Sequence, residues 1–181
     1  MSLPHALLTA LSEKPGSGLD FARRFDKSIG YFWSATHQQI YRELARLEEA
    51  GLIASEAQPE TRGQKKIYHP LPAGLDELRR WIALPEDAAP LRDGLMVRIR
   101  AEAAIGPSGL QAAIAHRLTG HRAALARYRE IEARDFPSAP QARDKALQKL
   151  ILTAGIRQEA GWIEMLEQAL AILSQDGDQG A

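Results

Sequence analysis

Apolar residues recur every three or four positions along nearly the whole chain, and one stretch alone carries strand signal, so the pattern predicts a mainly α protein. Leu3, Leu7, Leu8 and Leu11 share one helical face, with Pro4 in an early turn where its missing N–H is harmless and Pro15-Gly16 as the stop. Ser17 and Asp20 have the spacing of a capping box with a shortened acid, which predicts a second helix over about 18–27 burying Leu19, Ala22 and Phe25. Gly30 opens an aromatic turn, Tyr31-Phe32-Trp33, and Ser34 is the predicted N-cap of a third helix with Ile40, Leu44 and Leu47 inward and Gly51 as its end. Residues 52–57 and 65–71 flank a polar loop containing Pro59 and Gly63 and predict a two-stranded hairpin. Pro72 starts a fourth helix carrying Leu75, Leu78, Trp81 and Ile82, which ends near Leu84-Pro85.

The acidic, Pro- and Ala-rich stretch 85–90 marks a junction. It divides the chain into an N-terminal module over 1–85, a helical module over 86–175 and a flexible tail over 176–181. Beyond it the spacing predicts a helix over about 91–105, broken by Gly106-Pro107, then a long one bearing Leu110, Ile114, Leu118, Leu125 and Tyr128 up to Phe136-Pro137. A last helix over about 139–174 carries a stripe of Leu147, Ile151, Ala154, Trp162, Met165, Ala169 and Ile172. Two such long helices with one short companion cannot bury their stripes alone, so a second copy of the chain, packed in coiled-coil fashion, is the expected partner.

Composition narrows the chemistry. A chain of 181 residues without cysteine has no disulfide framework, no thiolate metal site and no thiol nucleophile. Lys+Arg and Asp+Glu both number 23, so affinity for a polyanion must come from local patches. The first residues lack a basic region before a cleavage site, and no apolar run reaches the roughly 20 residues of a membrane span. A cytosolic protein with no membrane partner is therefore expected.

Three helices followed by a hairpin is the order of a winged helix-turn-helix, whose third helix enters the major groove while the hairpin touches the backbone. Thr36, Gln38, Gln39, Arg42 and Arg46 fall on outward faces of that third helix. Arg pairs bidentately with guanine and Gln with adenine; the chain has no Asn, so adenine reading falls to Gln38 or Gln39. Arg62, Lys65 and Lys66 make a cationic hairpin tip beside Gly63, which permits close backbone approach to phosphate. By spacing alone, a merely solvated charged face explains these residues equally well.

The run from Gly30 to Leu52 (GYFWSATHQQIYRELARLEEAGL) closely resembles the PadR family of bacterial transcriptional regulators, and the likeness continues through Gly63 to Tyr68 (GQKKIY) and Pro72-Ala-Gly74. Ser34 and Thr36 depart from the family's more usual Pro and Ser. Pro90 to Arg100 (PLRDGLMVRIR) resembles the opening of the virulence-activator-type C-terminal domain of longer members. The resemblance implies a dimeric winged-helix DNA-binding protein, often a repressor, which in some members responds to a small aromatic molecule such as a phenolic acid. It places base or phosphate contacts on Thr36, His37, Gln38, Tyr41 and Arg42, and wing contacts on Lys65 and Lys66. Tyr41 is read either as a partly buried ring or as a hydroxyl aimed at phosphate, and His37 as packed or capping rather than base-reading.

Other chemistry is thinly represented. His116 and His121 are five apart with no carboxylate at ligand spacing, and no phosphate loop, zincin motif or nucleophile elbow occurs, so neither a metal, a cofactor nor an enzyme is expected. Gly16-Ser17-Gly18 reads as a helix break. Gly155 and Gly161 interrupt a strong helix near Trp162 and Tyr128; close helix packing explains them, and an effector cavity with His121 or Arg157 as carboxylate partner is the sharper reading. A helical protein-binding adaptor that uses the winged fold without touching DNA is the alternative function.

Overall fold

A computed structural model describes residues 3–27, 35–58, 65–87, 90–139 and 142–175. It divides into two compact units, Met1–Ala88 and Ala89–Ala181. The first holds α1 (Leu3–Glu13), α2 (Gly18–Lys27), α3 (His37–Glu49), β1 (Ile53–Gln58), β2 (Lys65–Pro70) and α4 (Pro72–Ile82); the second holds α5 (Gly94–Ile105), α6 (Leu110–Asp135) and α7 (Arg143–Gln175).

In the first unit the apolar faces of the helices meet in one core: Leu7, Leu8 and Leu11 of α1, Phe21 and Ala22 of α2, and Ile40, Leu44 and Leu47 of α3, closed by Ile53 and Leu78. The Ser17–Asp20 box forms, with Ser17 N–H donating to Asp20 Oδ2 at 2.9 Å and Asp20 N–H to Ser17 Oγ at 3.2 Å. That start sets the phase of α2 so that Phe21 and Ala22 face inward, while Leu19, expected in the core, is 45% exposed. The side chain of Phe25 lies outside the described residues. Ile82, the other expected core residue, is 68% exposed because the inner line of α4 runs through Gly74 and Leu78 to the half-buried Trp81.

β1 and β2 pair antiparallel, with Ile53 opposite Pro70 and Gln58 opposite Lys65. The α1–α2 turn adds a third rung: Gly16 N–H donates to Tyr68 O at 3.2 Å and Tyr68 N–H to Gly16 O at 2.9 Å. The carbonyls at the end of α1 are satisfied from a distance by Arg24, whose guanidinium donates to Ala10 O at 3.2 Å, Pro15 O at 3.1 Å and Lys14 O. Gly74 lets α4 lie against the hairpin entry, for a Cβ there would stand 2.1 Å from the carbonyl oxygen of Leu52. Across the unit His5 stacks on Trp81 at 4.4 Å and meets Glu77 at 3.1 Å.

In the second unit α6 and α7 run antiparallel, as shown by the pairings Gln111 with Leu173, His121 with Glu159 and Tyr128 with Gly155. Leu95, Leu110, Ile114, Leu118 and Leu166 form its core. α5 begins later than the apolar pattern alone predicted, because Asp93 caps it by accepting from Leu95 N–H at 2.8 Å. Buried Glu102 closes the α5–α6 turn by accepting from Ser108 N–H at 3.0 Å and from its hydroxyl. α7 starts at Arg143 rather than near 139, and its predicted stripe splits in two. Trp162, Met165 and Ala169 are partly covered, whereas Leu147, Ile151 and Ile172 are 46%, 52% and 63% exposed.

Candidate nucleic-acid interface

Helix α3 is anchored at both ends. Its N-cap is Thr36, not Ser34: Thr36 Oγ1 accepts from Gln39 N–H at 3.2 Å, and Gln39 Oε1 accepts from Thr36 N–H at 2.8 Å, a full capping box. The reciprocal Thr-x-x-Gln pair outcompetes an isolated Ser34, which itself lies outside the described residues. At the other end Gly51, at φ 67°, carries the left-handed turn that returns Leu52 N–H to Leu47 O at 2.9 Å and Gly51 N–H to Glu48 O at 3.0 Å.

With Ile40, Leu44 and Leu47 buried, the opposite line of α3 is Gln38, Arg42, Ala45 and Glu49, all exposed. Gln38 and Arg42 stand one turn apart near its start, while Glu49 limits the line at its other end. Gln39 is exposed, yet its carbonyl oxygen is held by Thr36, so the bidentate adenine geometry is open to Gln38 and closed to Gln39 while the cap persists. His37 is exposed at the first helical position. Arg46 is on the flank, 3.6 Å from Glu43. Tyr41 fits the partly buried reading: the residue is 49% exposed, and its ring lies over Gly18, where a Cβ would meet Cε1 at 2.2 Å.

Of the hairpin residues, Arg62 and Gly63 lie outside the described residues, and Lys65 is placed by its backbone at the start of β2. Lys66 is more than half exposed and stands 3.8 Å from Glu48 Oε2, while Ser55 donates to Glu48 Oε1 at 2.5 Å. Burial, then the charge of Glu48, pushes the Tyr68 phenol up from its usual value. Glu48 was not singled out by the sequence, and Gly18 was read only as part of a helix break, not as the seat of the Tyr41 ring. A Glu in the last turn opposes the helix dipole, and that was the available signal for the first.

The residues expected to line an effector cavity separate into two groups. His121 and Trp162 stack at 5.5 Å, His121 Nδ1 lies 2.5 Å from Glu159, and Arg117 covers Trp162 at 4.4 Å. Arg117 also donates to Asp93 at 2.8 and 2.5 Å, which holds the Asp93 carboxyl below the usual range and raises the guanidinium. An open cavity of about 500 Å³ adjoins this cluster, lined by His116, Arg117, Gly120, His121, Ala124 and Glu159. Tyr128 instead packs on Gly155, and Arg157 is exposed. Among the described residues, no group of three or more His, Asp or Glu side chains is placed to hold a metal, and no helix is long and apolar enough to cross a membrane.

Comparison with known proteins agrees along nearly the whole chain. Residues 7–80 match the transcriptional regulator PadR-like family, and residues 91–174 match the virulence activator alpha C-terminal domain. The probable transcriptional regulator Rv1176c of Mycobacterium tuberculosis is 39% identical over 97% of this chain and 99% of its own. The Vibrio cholerae virulence activator AphA superposes with a TM-score of 0.78 at 31% identity, covering 96% of this chain and 99% of AphA. The negative transcriptional regulator PadR of Bacillus subtilis is 27% identical over 96% of this chain and 98% of its own. Its structure in complex with operator DNA shares the fold with a TM-score of 0.82 (24% identity, 96% and 99% covered), and its complex with p-coumaric acid does so with 0.76 (24%, 95% and 98%). The chain therefore belongs to the PadR-like family of transcriptional regulators, not to a family of enzymes, and its second unit is a virulence-activator-type helical domain.

Proposed function

We propose that this regulator binds duplex DNA as a homodimer and acts as a repressor, with α3 in the major groove and the hairpin on the backbone. The observation that carries the reading is the line of Gln38 and Arg42 on α3: an exposed base-reading edge on a helix fixed at both ends and backed by a closed core. Gln38 and Arg42 read base edges; Thr36, His37, Tyr41, Arg46 and the wing cations Arg62, Lys65 and Lys66 hold phosphates and set register, with Ser34 and Gly63 at the margins. Two copies grip half-sites about 10 bp apart, or a multiple of that. The negative sense follows the Bacillus subtilis relative.

The second unit supports the dimer. Leu147, Ile151, Ala154, Gln158, Gly161, Met165, Gln168 and Ile172 alternate steps of four and three along α7, which is a coiled-coil seam. Its apolar ends are exposed, and a Cβ at Gly161 would meet nothing within 4 Å, so a facing helix has room to approach. A small aromatic ligand, of the kind a relative was solved with, shifts the packing of these helices in this proposal, the cluster around Trp162 and His121 being its nearest candidate seat.

A gel shift with the DNA upstream of the protein's own gene, at low and moderate salt, tests the proposal. A discrete retained complex at moderate salt is the expected result, and free DNA at both salts overturns it.

A further inference from the structure

Glu48 occupies an unfavourable place, the last turn of a helix whose dipole repels it. Two groups of the hairpin offset that cost: Ser55 Oγ donates to one carboxylate oxygen at 2.5 Å, and Lys66 Nζ stands 3.8 Å from the other. Lys66 faces Ala57 across the hairpin, so one carboxylate at the end of α3 holds both strands of the wing. The contact is not sealed. Lys66 is 56% exposed and Glu48 33%, so the lysine is free to turn toward a phosphate and leave the carboxylate behind.

We infer that Glu48 sets how tightly the interface holds DNA of any sequence: by neutralising Lys66 near the hairpin tip it lowers affinity by one common factor and leaves discrimination to the α3 edge. This rests on the DNA-binding reading above. A phosphate that recruits Lys66 must break the pair and leave an anion close to the duplex. Both costs are the same for every sequence, because the phosphate backbone carries no sequence information. The freed carboxylate also recruits a cation as the phosphate loses one, so the pair blunts the salt dependence of binding.

Glu48→Gln separates charge from geometry, since the amide oxygen still accepts from Ser55. Anisotropy titrations of the full chain compare wild type, E48Q, K66A and the double variant on two duplexes, one selected from a random pool by the wild type and one a scramble of it. Expected is E48Q binding the scramble more tightly, by up to about five-fold, the scale of one exposed ion pair. Its salt dependence is expected to steepen by up to about one ion, and the selected duplex is expected to tighten by the same factor, so that the ratio of selected to scrambled affinity stays unchanged. Adding E48Q to K66A is expected to give a smaller gain than adding it to the wild type, because only the repulsion between the carboxylate and the duplex is then removed. Unchanged affinity for the scramble in E48Q, or a gain that is undiminished without Lys66, overturns the inference while leaving DNA binding intact. A wild type that retains no duplex at all removes the DNA-binding reading itself, and this inference with it.

Discussion

At the scale of single residues, the proposed interface divides by charge and hydrogen-bonding capacity into residues that read and residues that hold. Arg42 is exposed on the outer line of α3, whereas Lys66 offers a point charge from near the hairpin tip. Arg42→Ala is expected to cost about 1–3 kcal/mol on the preferred site and to relax the preference at one base pair per half-site. Lys66→Ala is expected to weaken binding to all sequences alike and to lower the salt slope by about one. Titration of each variant against a set of single-base operator substitutions checks the division, and equal losses on preferred and random DNA for both variants contradict it. A second residue-scale prediction concerns acid stability. Hydrogen bonds from Arg80 and then His5 lower the Glu77 carboxyl from 4.5 to about 2. Because the folded value is depressed, its stabilising contribution is fully present above about 4.5 and is lost as pH falls toward 2. Melting temperatures of wild type and Glu77→Gln should therefore converge over that window, and a constant gap between them would falsify this assignment.

At the scale of elements, the α3 capping box shows how local chemistry and function compete for one side chain. Thr36 and Gln39 are both polar, exposed and near the start of α3, so by pattern they are as fit to read bases as Gln38. The backbone claims them first, since the orphan N–H groups of a helix start need acceptors. Thr36→Ala is expected to cost about 1 kcal/mol of stability. Gln39→Ala is expected to destabilise as well, by removing the acceptor of the Thr36 N–H, and to leave the base preference unchanged. Thermal melts beside a base-substitution series distinguish this from direct readout, in which Gln39→Ala alters preference at an adenine. The hairpin illustrates the complementary case. Its strands were legible from alternation and turn residues, but the Gly16–Tyr68 rung was not, because it joins positions 52 apart in sequence through backbone groups that carry no residue signature.

At the scale of the whole molecule, the order of elements and the expectation of a partner follow from the distribution of apolar positions, while the family rests on the motifs along the chain. The α7 stripe was legible as a period, yet its division was not: the same helix turns Leu166, Leu170 and Leu173 to α6 and leaves Leu147, Leu150 and Ile151 uncovered. Paired substitution of Leu147 and Ile151 by Glu is expected to convert a dimer into a folded monomer, read by sedimentation with helicity unchanged. Loss of helicity would mean that these residues stabilise the unit itself, and a persistent dimer would place the seam elsewhere.

The sequence by itself determined the mainly helical fold, the winged order of elements and the α3 core line, because periodicity, caps and turn residues act over a few neighbouring positions, and its motifs carried the family resemblance. Only the tertiary structure decided which polar residues are left over for function. Gln39 is spent on its own helix, Glu48 on the wing, Arg24 on the end of α1 and Asp93 on both a cap and Arg117. Such commitments depend on which distant backbone or side-chain group folding brings within about 3 Å, and spacing along a chain does not encode that distance.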